Sequence, residues 1–211
     1  MSLLPKIYPI TDTSISGLSH TEQVKRLLEG GAPLIQLREK AASPRAFFDD
    51  ATTALTLARA AGARLIINDR VDIALALRAD GVHLGQTDMP VVATRRLLGQ
   101  EAIIGFSTHT FEQAAAALLL PIDYLAFGPI YSTSTKKNQD PKTGLVELRR
   151  VRSISTSLPI VAIGGISRSN VPDVLTAGAD AVAVISAVLS NPREIAQNLR
   201  NLSEIADNKL P

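Results

Sequence analysis

The chain has 211 residues, 45% of them hydrophobic and 4% aromatic, enough for one domain with a sizeable core. Its 22 Lys and Arg against 20 Asp and Glu give a net charge of +2; no basic stripe is interleaved with aromatics, which argues against a nucleic-acid partner. The lack of cysteine excludes disulfides, zinc–thiolate sites and cysteine nucleophiles, and the longest apolar run, residues 114–122, is too short to span a bilayer.

The start, Met1-Ser-Leu-Leu-Pro-Lys6, lacks the basic region and long apolar stretch of a leader, so a cytoplasmic protein is expected. Beyond it, short β-branched runs alternate with longer stretches of helical spacing. Strands are predicted at 6–11, 34–38, 64–68, 81–84, 102–107, 124–128, 159–163 and 181–185. Runs such as Leu65-Ile-Ile67 and Ile160-Val-Ala-Ile163 are too continuous for half-exposed strands and suit parallel strands covered on both faces. Pro9 is a blemish in the first, because it removes a ladder donor.

Helices are predicted after Ser19, stopping at Gly30-Gly31, and from Pro44 to Ala60, stopping at Gly62. A short helix follows Asp72, another opens at Asn170 with Pro172 and closes at Gly178, and the last runs from Pro192 to about Ala206. Eight β-then-α units over residues 1–211 predict a single (β/α)8 TIM-barrel domain; an open doubly wound sheet is the alternative. The turns 30–32, 61–63, 79–81 and 177–180 precede strands, with Gly expected at positive φ in each.

The opposite strand ends differ in character. Seven of the eight carry a polar or Gly-rich cluster, and in a barrel they share the rim where barrel enzymes hold their sites. Asp69 and Asp88 follow neighbouring strands and suit Mg2+, which takes one or two carboxylates plus phosphates; each is also in a position to cap the next helix. Beside a rim rich in Arg38, Lys40 and Lys136 the metal reading is favoured. Those three cations suit a diphosphate, whereas Lys137 and Lys142 read as solvated neighbours. Gln36 and Asn68 suit a heterocycle edge or phosphate oxygens.

Gly164-Gly165 and Ile185-Ser186, after strands seven and eight, suit a phosphate on backbone N–H groups. The polar segment 129–144, carrying Thr133, Ser134 and Thr135, reads as a phosphate-gripping loop. His20 is expected at a helix start, His83 as a packed residue, and His109 near the rim with no evident partner. Ser107 has no obvious activating base. Asp12 is open between capping and site support.

Taken together, Gln36-Leu-Arg-Glu-Lys40, Asn68-Asp-Arg-Val-Asp72, Gly81-Val-His-Leu-Gly-Gln86 with Asp88, Gly105 to His109, Gly128-Pro-Ile130 with Thr133-Ser-Thr-Lys136, Ala162-Ile-Gly-Gly-Ile166 and Val184-Ile-Ser186 resemble the thiamine phosphate synthase family, in order along nearly the whole chain. The resemblance implies a transferase that joins an aminopyrimidine diphosphate to a thiazole phosphate and releases pyrophosphate with Mg2+. It implies that Gln36, Leu37, Arg38, Glu39, Lys40, Asn68, Ser107 and Lys136 bind the pyrimidine diphosphate, with Arg38, Lys40 and Lys136 acting on the leaving group. Thr133, Ser134, Thr135, Gly165, Ile185 and Ser186 would bind the thiazole phosphate, and Asp69 and Asp88 the Mg2+. The implied partners are these small molecules, with neither nucleic acid nor membrane.

Overall fold

A computed structural model describes residues 4–133 and 141–208. Eight parallel strands, β1 (Ile7–Thr11), β2 (Leu34–Leu37), β3 (Arg64–Asn68), β4 (Gly81–Leu84), β5 (Ile103–Thr108), β6 (Tyr124–Phe127), β7 (Ile160–Ile163) and β8 (Ala181–Val184), close into a barrel in sequence order. Closure by pairing of β8 with β1, Tyr8 opposite Ala183, excludes the open-sheet alternative. Each strand lies within a residue or so of its predicted position. Pro9 is held inside β1, in register with Val184.

Helices fill the crossovers: α1 (Thr13–Ser16), α2 (His20–Glu29), α3 (Pro44–Ala60), α4 (Val71–Leu77), α5 (Val91–Leu98), α6 (Phe111–Ala117), α7 (Gly144–Ile154), α8 (Val171–Thr176), α9 (Ser186–Leu189) and α10 (Ile195–Asn208), the last preceded by a 3₁₀ turn at Pro192–Glu194. Ser19 and Ser43 cap α2 and α3 through their side chains. Among the described residues no helix is long and apolar enough to cross a membrane.

The alternation of the strands explains the barrel's two cores. Ile35, Leu37, Leu65, Ile67, Val82, Leu84, Ile104 and Leu125 pack outward against the helices. Their neighbours Leu34, Ile66, Ile103, Tyr124, Val161 and Ala181 fill the barrel interior. Above that interior layer the inward positions turn polar, at Gln36, Asn68, His83 and Ser107, and this change makes the site.

The bottom turns behave as expected with one correction. Gly31, Gly62 and Gly178 have positive φ of 88°, 72° and 109°. At 79–81 the left-handed residue is Arg78, φ 51°, which ends α4. Gly81 instead opens β4, where a Cβ would lie 1.9 Å from the Ile103 carbonyl oxygen; it is required for close approach of β5.

Aspartates stitch the same end. Oδ2 of Asp80 accepts from Leu65 N–H at 2.8 Å, that of Asp123 from Ile104 N–H at 2.7 Å, and that of Asp180 from Ile160 N–H at 2.7 Å. They precede β4, β6 and β8, so the device recurs every second unit. Arg95 and Arg152 add ion pairs to Asp123 and Asp180, each at 2.6 Å. The stitched end sets strand height and leaves the opposite end to chemistry.

Candidate functional site

The C-terminal strand ends open into a cavity of about 440 Å³, a size suited to a small-molecule site. Gln36, Arg38, Lys40, Asn68, Asp69, Asp88 and Ser107 line one part of it. Thr133, Gly165, Ile185 and Ser186 line another. In the closed ring β3 and β4 stand across from β7 and β8, so the acidic group faces the glycine pair over the mouth. Ser134, Thr135 and Lys136, expected to complete the anion sites, lie outside the described residues.

Two members of the 36–40 run do not line the cavity. Leu37 is fully buried among the outward core residues, because alternation sends it to the face opposite Gln36 and Arg38. Glu39 turns away too: its Oε1 accepts from the N–H groups of Lys40, Ala41 and Ala42 at 2.7, 2.6 and 3.0 Å. Its Oε2 meets His20 Nε2 at 3.1 Å and accepts from Thr13 Oγ1 at 3.3 Å. Partial burial pushes this carboxyl up, but the N–H groups of Ala41 and Ala42 and then His20 outweigh it and hold its pKa at about 2. The side chains of Leu37 and Glu39 are thus engaged elsewhere, so any part these two residues take in binding would fall to their backbone: Leu37 packs the barrel and Glu39 ties down the loop that carries Arg38 and Lys40.

His20 opens α2 as expected, yet it is buried and also bonds Thr11 Oγ1 through Nδ1 at 2.7 Å. Asp12 fills both roles left open for it. Its Oδ1 accepts from Ser14 N–H at 3.0 Å, capping α1, while its Oδ2 pairs with Arg38 Nη1 at 2.5 Å. Arg38 is thereby aimed from below, with its side chain 14% exposed.

Neither acidic residue after β3 and β4 caps a helix. The cap positions of α4 and α5 are Arg70 and Pro90, without a side-chain cap bond. Asp69 takes a left-handed φ of 62° and ion-pairs with Lys40; a non-glycine residue in that region is uncommon. Asp88 accepts from Gly85 N–H through Oδ2 at 2.6 Å. Burial pushes Asp88 up, opposed by that N–H and reinforced by the neighbouring Asp69 carboxylate. Two carboxylates close enough to repel, with an ammonium already drawn to one, form an oxygen donor set that fits a hard divalent cation. Among the described residues no three or more His, Asp or Glu gather into a larger cluster, so further ligands would come from substrate oxygens or water.

The glycine pair has a packing reason as well as a place at the mouth. Gly164 and Gly165 have φ of 99° and 62°. A Cβ would lie 2.4 Å from Pro129 Cβ at the first and 2.5 Å from the Ser132 carbonyl oxygen at the second. Bare backbone lets the loop after β6 lie against β7. His109, whose partner was not evident from sequence, donates from Nδ1 to the Gly128 carbonyl at 2.6 Å and holds the other side of that loop.

Sequence reasoning missed a buried polar row beneath the cavity. Gln36 Nε2 donates to Tyr8 Oη at 3.2 Å, and Tyr8 and Tyr124 hydroxyls are 3.3 Å apart. Tyr124 Oη meets His83 Nδ1 at 2.9 Å, and His83 Nε2 meets Ser107 Oγ at 2.8 Å. His83 is packed, stacked on Tyr124 with centroids 5.6 Å apart, but it also lines the cavity. Burial pushes the Tyr8 phenol up to about 12 against the bonds from Gln36 and Tyr124, and pushes Tyr124 well above the usual phenol range. The signal was the inward register that Gln36, His83 and Ser107 share.

A family model described as thiamine monophosphate synthase matches residues 7–188. A thiamine-phosphate synthase of Chloroflexus aurantiacus is 44% identical over 207 residues, covering 97% of this chain and 95% of the relative. One of Syntrophomonas wolfei is 44% identical over 200 residues, covering 94% and 95%. A solved structure of thiamine phosphate pyrophosphorylase from Pyrococcus furiosus superposes with a TM-score of 0.86 at 37% identity, covering 98% of this chain and 97% of that one. By motif, sequence and fold alike, the chain belongs to the thiamine monophosphate synthase family.

Proposed function

We propose that the chain condenses an aminopyrimidine bearing a diphosphooxymethyl group with a thiazole phosphate, forming thiamine phosphate and releasing pyrophosphate. The observation that carries this reading is the division of one cavity: Arg38, Lys40, Asp69 and Asp88 on one side, and Gly165 and Ser186 on the side across the barrel. Two anionic substrates with their reacting atoms between them need such a division. The membership of the family and the names of its relatives support the same reading.

The chemistry is an alkyl transfer. The bond from the pyrimidine methylene carbon to the diphosphate oxygen breaks, and its electron pair leaves with pyrophosphate. The thiazole nitrogen supplies the pair that forms the new C–N bond. No protein nucleophile is required, which agrees with a site built of anion-gripping groups. Arg38, steadied by Asp12, offers a fixed fork to the diphosphate, and Lys40 a mobile charge. The family motif assigns Lys136 to the leaving group beside these two cations, and Ser134 and Thr135 to the thiazole phosphate together with Thr133 and Ile185; Asn68 and Gln36 would meet the pyrimidine. Held by Asp69 and Asp88, Mg2+ would neutralise the diphosphate charge as it departs. The protein's own contribution is alignment of two substrates and preorganised charge.

The test is formation of thiamine phosphate from the two purified heterocycles, followed chromatographically with and without Mg2+. Product that needs both substrates supports the reading; its absence under saturating substrate overturns it. Replacing Lys136 with Ala should lower kcat while leaving the fold intact, and an undiminished kcat would remove that residue from the leaving-group site.

A further inference from the structure

Beneath the cavity, five side chains from five strands form one continuous row: Gln36, Tyr8, Tyr124, His83 and Ser107. From the contacts and the number of protons along it we infer that the row is a one-way hydrogen-bond chain which fixes His83 as the Nε2–H tautomer and turns the Ser107 hydroxyl proton toward the cavity. Ser107 would then meet a ligand as a donor, while Gln36 Oε1 is left as an acceptor for an amino group.

The Gln36 amide donates to Tyr8. Each phenol has a single proton and both are fully buried; in the chain Tyr8 gives its own to Tyr124, whose hydroxyl is 3.3 Å away. Tyr124 Oη lies 2.9 Å from His83 Nδ1, and in this chain its one proton goes there. A neutral imidazole that accepts at Nδ1 carries its proton at Nε2, and Ser107 Oγ, 2.8 Å from Nε2, would then accept it. Turning over the Gln36 amide would reverse every bond, and Ser107 would then spend its proton on His83.

Burial makes the polarity hold. Tyr8, Tyr124, Gln36 and His83 are 1%, 0%, 2% and 7% exposed, so bulk water does not reach in to break the chain, and a low dielectric strengthens it. The row also has a sequence requirement. A Cβ at Gly105 would lie 2.0 Å from Tyr124 Cζ and 2.3 Å from its hydroxyl oxygen; the glycine on β5 is what lets the ring stand there.

The tautomer is read in the free protein, so this inference deepens the proposed function without depending on turnover. Only three histidines are present, and long-range ¹H–¹⁵N correlation of the unligated protein, assigned with His20→Gln and His109→Gln, reports which His83 nitrogen bears the proton. Nε2–H is expected, and Nδ1–H overturns the chain as drawn. Tyr124→Phe should then mix the two tautomers and lower kcat about tenfold, the scale of one hydrogen bond. A folded variant with unchanged tautomer and unchanged kcat also overturns it; if the variant fails to fold, the wild-type spectrum decides alone. Wild-type protein that shows Nε2–H yet forms no thiamine phosphate would sink the proposed function and leave the chain standing.

Discussion

Glu39 Oε2 lies 3.1 Å from Nε2 of the buried His20, so the residue between the two cations of the 38–40 segment points away from them and into the scaffold. Arg38 and Lys40 reach the cavity because Glu39 does not. Glu39→Ala should raise KM for the diphosphate substrate and lower kcat/KM about tenfold or more, the scale of a charge-assisted bond. Steady-state kinetics check this, and an unchanged KM would make Glu39 incidental.

The same contact has a pH signature. The Glu39 carboxyl is held at about 2 against an ordinary 4.5, so the folded state favours its ionised form. Its contribution to stability is complete above about pH 4.5 and is lost as pH falls toward 2. Urea midpoints of the wild type and Glu39→Gln should therefore converge on acidification. A gap that stays constant from pH 6 to pH 3, on the order of the window set by such a shift, would contradict the assignment.

Asp88 sits higher than an ordinary carboxylate because burial and Asp69 both disfavour its charge. Asp88→Asn retains an acceptor for the Gly85 N–H and removes the repulsion. In the presence of chelator the variant should melt no lower than the wild type, while half-saturation by Mg2+ shifts upward about tenfold or more. A lower Tm with an unchanged metal titration would make the residue structural.

The fold was legible because its strands are continuous apolar runs and its bottom turns carry glycine, both local signals. The gathering of Asp69, Asp88, Arg38 and Lys40 at one cavity was legible for a related reason, since each follows a strand end and a barrel gathers all such ends. Four-residue α1 was not, because one turn shows no periodicity. Arg78 was missed because nothing in its neighbours demands a left-handed residue. Reading the 36–40 run as one unit hid the separate work of the Leu37 and Glu39 side chains, although alternation from Gln36 already sends Leu37 outward. The row from Gln36 to Ser107 depends on Tyr8 of β1 meeting Tyr124 of β6 inside the barrel and on the space left by Gly105, and no local pattern encodes such a contact.

Gly81 and Gly105 are predicted to tolerate alanine poorly. A methyl group at Gly81 meets the Ile103 backbone at 1.9 Å and one at Gly105 meets the Tyr124 ring at 2.0 Å. Overpacking of this kind costs about 1–3 kcal/mol. Gly81→Ala should fall at the upper end because backbone yields less than a side chain, and chemical denaturation would show the order of the two.

Asp80 lies at the end of the barrel remote from the cavity and accepts from Leu65 N–H. Asp80→Ala leaves that donor unsatisfied and should cost about 1–3 kcal/mol with kcat unchanged in the folded protein. A loss of kcat at full stability would mean that the stitched end communicates with the mouth.

The most direct measurement is pyrophosphate release, followed continuously with each heterocycle alone and with both, at saturating Mg2+. The account predicts rapid release only when the pyrimidine diphosphate and the thiazole phosphate are present together, in step with thiamine phosphate. Equal release from the pyrimidine diphosphate alone, or none with both, would contradict it.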